Sequence, residues 1–184
     1  MKRAVFIDRD GVIFEDKNHI HKKEDLEIIP GSVEAIKILN NKNYLVVVVT
    51  NQSVVARGLC SLEELISMND YIEENFIKHG AVINKTYFCP HHPTEGTNPL
   101  YTRQCDCRKP KIGMIMKAKD ELGVYLPGSY VVGDKTSDIK MGKDVGCQTI
   151  LVKTGYGGKD NLFSDYKPDF ISKNLLEASN LISI

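Results

Sequence analysis

Neither sign of charge is in excess in this sequence. Its 24 Lys and Arg residues are matched by 24 Asp and Glu, so the formal net charge is zero. A nucleic-acid binder needs a basic excess to hold a phosphate backbone, and its absence argues against that class. Long apolar runs are missing too. The longest aliphatic stretch, Leu45 to Val49, is far short of the ~20 residues that span a bilayer. Only four apolar residues separate Lys2 and Arg3 from Asp8, whereas a signal-peptide core needs ~7–15. The expectation is a cytoplasmic protein with reduced thiols and neither membrane nor nucleic acid as a partner. Two common phosphate signatures also fail. Gly123 to Gly128 has the spacing of a P-loop, but Ser129 follows where a Lys is required, and Gly155-Tyr156-Gly157-Gly158 reads as a flexible loop.

What is present fits one domain over residues 1–184, with 42% hydrophobic and 26% charged residues. Such a chain buries a full core without disulfides. Short, continuously apolar, β-branched runs at 4–7, 44–49 and 130–132 predict strands buried on both faces. Weaker strand candidates are 82–88, 148–152 and 169–171. Helical patterns fall between them. Ser32 is the expected N-cap ahead of Val33, Ile36 and Leu39, and Ser61 with Glu64 forms a capping-box signature ahead of Leu62, Leu65, Ile66 and Met68. Residues 111–122, 136–145 and 172–182 predict three further helices. The alternation predicts an α/β fold, a Rossmann-like open parallel sheet with helices on both faces. The one long irregular stretch, 89–110, is rich in Pro, Cys and His.

Ligands of open α/β sheets sit at the carboxyl ends of the strands, and the polar chemistry of this chain lies there. The first strand runs into Asp8-Arg9-Asp10-Gly11-Val12, the second into Thr50-Asn51-Gln52-Ser53, and a later one into Gly133-Asp134-Lys135-Thr136-Ser137-Asp138. Arg108-Lys109-Pro110 precedes a helix. Asp8, Asp10 and Asp134 converging at one sheet edge would repel one another unless a cation compensates. Oxygen-only ligands suit Mg²⁺ together with a substrate phosphate. Lys109 adds a cation and Thr50 a donor, a set suited to a phosphoryl group. A carboxylate can be the nucleophile, and a second one two residues on can move the proton. Each group alone is most often a turn or a helix cap; four in order at strand ends favour the functional reading.

Three of the five cysteines (Cys60, Cys89, Cys105, Cys107, Cys147) lie within nineteen residues, beside His91 and His92. In a reducing compartment this grouping favours a metal over a disulfide. Cys105 and Cys107 with two more S/N ligands would close a tetrahedral structural zinc site. Spacing alone leaves His91 and His92 as rivals.

Asp8-x-Asp10, Thr50, Lys109 and Gly133-Asp134-x-x-x-Asp138, in that order over nearly the whole chain, resemble the four motifs of the haloacid dehalogenase superfamily. The resemblance implies Asp8 as nucleophile, Asp10 as acid/base, and Thr50 and Lys109 as holders of the phosphoryl group. It implies Mg²⁺ on Asp8, the Asp10 carbonyl and Asp134, with Asp138 behind them. The fuller pattern, with Cys-Pro-His-His-Pro and Cys-Asp-Cys-Arg-Lys-Pro, is similar to the D-glycero-D-manno-heptose 1,7-bisphosphate 7-phosphatases. That likeness implies a C7 phosphatase of nucleotide-activated heptose synthesis, for lipopolysaccharide, capsule or other glycans. Histidinol-phosphate phosphatase is the alternative. The heptose-phosphatase likeness implies substrate contacts from Asp16, Lys17, Asn18, His19, from Thr50, Asn51, Gln52, Ser53, and from Arg108, Lys109 and Lys135. It also implies zinc on Cys89, His91, Cys105 and Cys107, which favours His91 over His92. The short gaps between motifs leave no room for a cap domain, so an open site and a zinc-binding loop insertion at 89–110 are expected. A persistent phosphoacceptor module is disfavoured by Asp10, and a polynucleotide phosphatase by the neutral charge. Charge and patterning lead us to expect a monomer.

Overall fold

Alternation of strand and helix continues through the computed structural model, which describes residues 1–183. The strands are β1 (Arg3–Ile7), β2 (Tyr44–Asn51), β3 (Lys85–Cys89), β4 (Tyr130–Gly133), β5 (Gln148–Val152) and β6 (Phe170–Ser172). They form one parallel sheet in the order β3-β2-β1-β4-β5-β6. The helices are α1 (Ser32–Asn41), α2 (Leu62–Lys78), α3 (Gly113–Leu122), α4 (Thr136–Asp144) and α5 (Leu175–Leu181). Successive side chains of a strand point to opposite faces, so each strand feeds two cores. Val5, Ile7, Val46 and Val48 pack with Ile36 and Leu39 of α1, Leu65 and Phe76 of α2 and Leu175 of α5. On the other face Phe6, Val47 and Val49 pack with Met114 and Ile115 of α3 and Met141 of α4. The expected parallel sheet with helices on both faces is what the residues build. No helix among the described residues is long and apolar enough to cross a membrane.

Strand order reverses at β1, which has β2 on one side and β4 on the other. The crevice at such a switch point is where open sheets bind ligands. It lies at the ends of β1 and β4, just where Asp8 and Asp134 follow.

Element boundaries differ from expectation where side chains take over backbone roles. Gly31, not Ser32, caps α1, with φ 88°, while the Ser32 hydroxyl points to the Val12 carbonyl at 3.5 Å. The third strand opens at residue 85 because Asn84 answers the Val46 amide with its side-chain oxygen, at 2.7 Å. The helix expected from 111 begins at Gly113, after a turn in which the Lys111 amide donates to Arg108 O. The terminal stretch splits, with Ser172 closing β6 and Asn174 capping α5 through the Glu177 amide.

The capping box of α2 is as expected. Ser61 Oγ accepts from the Glu64 amide at 3.1 Å, and Glu64 Oε2 accepts from the Ser61 amide at 2.7 Å. Ser61→Ala is expected to cost ~0.5–2 kcal/mol, read as a lower urea midpoint at unchanged slope. A midpoint equal to the parent's would contradict the role of this cap.

Candidate active site

Lys109 is the centre of charge. Its ammonium lies 2.8 Å from Asp8 Oδ1 and 2.7 Å from Asp138 Oδ1, and donates to Val49 O at 3.0 Å. Asn51 straps it to the end of β2, accepting from the Lys109 amide at 3.0 Å and donating to its carbonyl at 3.3 Å. Burial opposes the charge on Lys109, but Asp138 and Asp8 outweigh it and raise its pKa.

Asp134 is fully buried. Its Oδ2 accepts from the Tyr156 amide at 2.7 Å, while its Oδ1 is buried with no partner. Burial, then the Asp8 and Asp138 carboxylates, push its pKa up to about 8. Burial pushes Asp138 up to about 6 against the pull of Lys109. One carboxylate oxygen from each of Asp8, Asp134 and Asp138 can meet within 4.8 Å. Unrelieved repulsion and an orphaned buried oxygen suit a divalent cation, and an all-oxygen donor set suits Mg²⁺.

Two glycines make this crowding possible. A Cβ on Gly11 would lie 2.4 Å from Asp134 Oδ2, and one on Gly155 would lie 2.2 Å from it; both residues have positive φ. Gly155→Ala is therefore expected to displace Asp134 and weaken apparent Mg²⁺ affinity at least ~10-fold, one misplaced ligand being worth that much. Calorimetric titration of the protein with Mg²⁺ reads it; an unshifted affinity would dismiss the cradle.

The second carboxylate of the first motif is held differently. Arg9, only 1% exposed, donates from Nε to Asp10 Oδ1 at 2.9 Å and from Nη2 to Oδ2 at 3.0 Å. Gln52 completes the clamp. Its oxygen accepts from Arg9 at 2.9 Å, and its nitrogen donates to Asp10 Oδ2 at 2.8 Å and Thr50 Oγ1 at 2.9 Å. Gln52, expected to touch substrate, thus has both ends of its amide engaged in orienting Asp10 and Thr50. Arg9 was not foreseen; its place between two motif aspartates was the available signal.

Asp8, Asp10, Thr50, Gln52 and Lys109 open onto a cavity of about 460 Å³. Of the expected substrate contacts, Asp16, Asn18, His19, Thr50, Asn51, Gln52, Ser53, Arg108, Lys109 and Lys135 line it. Lys17 does not; it pairs with Glu27 at 2.9 Å on the outer side of its loop. Lys135 lies 3.4 Å from Asp16 and 4.4 Å from the Tyr156 ring centre. Although burial opposes its charge, the surrounding carboxylates raise its pKa. Arg57, Tyr156, Asp160, Leu162 and Phe163 also line the cavity and were missed. The Gly155–Gly158 stretch, read as a flexible loop, is docked. Gly158 N donates to Asp134 O at 2.7 Å, and Thr154 Oγ1 donates to Gly11 O at 2.6 Å. Asp160 accepts from the Thr136 amide and hydroxyl at 2.9 and 2.6 Å.

Beside the cavity, Cys89, His91, Cys105 and Cys107 present ligand atoms within 4.8 Å of one another. The sulfurs lie 3.0–3.5 Å apart, and His91 Nδ1 is 3.7 Å from Cys89 Sγ and 3.4 Å from Cys107 Sγ. A tetrahedron with metal–sulfur bonds of about 2.3 Å has edges of roughly 3.8 Å, so a slight outward movement of the sulfurs would seat a metal. The Cys89 thiol, with His91 and Cys105, holds Cys107 below the ordinary thiol range. His92 instead accepts from the Glu95 amide at 2.8 Å, and it stands outside the grouping of His91 with the three cysteines. Cys60 and Cys147 stand apart from this cluster.

A family model described as HAD-hydrolase-like matches residues 106–178. The D-glycero-beta-D-manno-heptose-1,7-bisphosphate 7-phosphatase of Vibrio cholerae is 44% identical over 84% of this chain and 83% of its own length. The D-glycero-alpha-D-manno-heptose-1,7-bisphosphate 7-phosphatase of Campylobacter jejuni is 36% identical over 90% of each. Among solved structures, the D,D-heptose 1,7-bisphosphate phosphatase from B. bronchiseptica, complexed with magnesium and phosphate, superposes with a TM-score of 0.83. It is 31% identical, over 98% of this chain and 97% of that one.

Proposed function

Because the chain belongs to the heptose-1,7-bisphosphate 7-phosphatase family of haloacid dehalogenase-like hydrolases, we propose that it removes the C7 phosphate of D-glycero-D-manno-heptose 1,7-bisphosphate. The observation that carries this reading is Lys109 bridging Asp8 and Asp138 beside the orphaned oxygen of Asp134. That is a phosphoryl site with one face left for a metal and one for substrate. Asp8, the Asp10 carbonyl and Asp134 would hold Mg²⁺, which, when bound, neutralises phosphate charge and draws the phosphorus toward the nucleophile.

An Asp8 oxygen attacks the C7 phosphorus, and the bond from phosphorus to the sugar oxygen breaks. Asp10 protonates the departing oxygen, leaving an aspartyl phosphate on Asp8. Asp10 then takes a proton from water as that water attacks the phosphorus, freeing Asp8 and inorganic phosphate. Thr50 and Lys109 donate to the phosphoryl oxygens throughout. Arg9 and Gln52 keep Asp10 aimed between these tasks.

Cys89, His91, Cys105 and Cys107 would hold a structural Zn²⁺ with no open position. In this reading the zinc pins the loop that delivers Arg108 and Lys109. The enzyme works in the cytoplasm, a reading its five free cysteines support, and as a monomer, a reading its zero net charge supports. The alternative, histidinol phosphate, has no observation of its own in its favour.

The experiment is Mg²⁺-dependent phosphate release from both anomers of heptose 1,7-bisphosphate and from histidinol phosphate. Higher kcat/KM for a heptose anomer is expected, and the preferred anomer assigns the glycan branch. Higher kcat/KM for histidinol phosphate would overturn the substrate and keep the chemistry.

A further inference from the structure

Asp8, Asp10 and Lys109 line the cavity, and Arg57 and Arg108 line the same space. Arg108 donates only to a backbone oxygen, His91 O at 3.0 Å, and forms no ion pair among the described residues. Arg57 has one carboxylate partner, Glu95, at 2.5 Å, whose side chain is 63% exposed. Two guanidinium groups thus share a single, solvent-facing counter-ion.

The placement is built into the fold. The amides of Thr97 and Asn98 both donate to Ala56 O, at 2.9 and 3.0 Å, and Thr97 Oγ1 donates to Arg57 O at 3.0 Å. A Cβ at Gly96 would lie 2.4 Å from Ala56 O, so only glycine lets the two backbones approach this closely. The Cys/His loop therefore grips the segment carrying Arg57 at one end and supplies Arg108 at the other.

We infer that Arg57 is a specificity-determining residue, which with Arg108 takes the non-reacting phosphate of the bisphosphate, and that Glu95 is the counter-ion this phosphate displaces. The inference rests on the proposed function for the identity of the sugar, not for the charge pattern. Guanidinium groups recognise phosphate through paired hydrogen bonds. The incoming phosphate takes the place of a carboxylate held in an exposed pair, which is cheap to break.

The test compares kcat/KM for heptose 1,7-bisphosphate with that for p-nitrophenyl phosphate, which has no second phosphate. A charge-assisted hydrogen bond is worth ~1.5–3 kcal/mol. Arg57→Gln is therefore expected to lower the ratio of the two about 10- to 100-fold, through KM for the bisphosphate. A ratio within twofold of the parent's would overturn the role of Arg57. Glu95→Gln is expected to lower KM for the bisphosphate; a raised KM would show that Glu95 holds Arg57 in place and overturn its role as a displaced counter-ion. If the parent enzyme releases nothing from the heptose, the substrate proposal falls by itself. The remote site is then read from fructose 1,6-bisphosphate and fructose 6-phosphate as inhibitors of p-nitrophenyl phosphate hydrolysis. A bisphosphate advantage that Arg57→Gln removes supports the site, and no advantage in the parent overturns it.

Discussion

Asp8→Asn is expected to reduce phosphate release at least ~10⁴-fold, the scale on which nucleophile removal acts in covalent catalysis. The protein should still fold. Asparagine has the same shape, and the change removes one of the three carboxylates that repel one another around Lys109. Asp138 remains to pair with that ammonium at 2.7 Å. A far-UV spectrum and melting temperature close to the parent's, together with lost turnover, would separate chemistry from collapse. Turnover within tenfold of the parent would remove Asp8 as the nucleophile.

Disrupting the Cys/His cluster proposed to hold zinc should have the next largest effect. Structural zinc contributes ~10–16 kcal/mol in small peptides, and here it would organise residues 89–110, which contain no strand or helix after Cys89. Cys107→Ala is expected to lower the melting temperature by roughly 10 °C, as a loss of ~3–5 kcal/mol does in a chain of this size. Hydrogen exchange should rise first across 89–110. Phosphate release should fall with it, because Arg108 and Lys109 directly follow the mutated ligand. Metal analysis of the purified parent should find one zinc per chain. An active, zinc-free parent would overturn the structural-metal proposal.

Several elements were legible in the sequence because the forces that make them are local. The run Val46 to Val49 reads as a strand buried on both faces, and its residues divide between the two cores. Ser61 and Glu64 read as a capping box because the two hydrogen bonds close within one turn. The motif aspartates were legible because four polar groups fall in order at strand ends, whereas each alone reads as a turn or a helix cap. Gly31 displaced Ser32 as a cap for a non-local reason: a Cβ there would lie 3.0 Å from Leu176 of α5.

Sequence by itself determined the parallel α/β architecture, the placing of Asp8, Thr50 and Asp134 at strand ends, and the grouping of three cysteines with a histidine. Tertiary structure alone decided what each of these groups faces. It set His91 rather than His92 among the sulfurs, folded the glycine-rich 155–158 stretch onto Asp134, and turned Lys17 out to Glu27. It joined Arg57 to Glu95 across 38 positions, and Gln52 to Asp10 across 42. Hydrophobic period, capping and turn chemistry act over a few residues and leave their marks in adjacent letters. Partners tens of residues apart meet only because the order of strands in the sheet brings their loops to one edge, and that order is written in no single stretch of the chain.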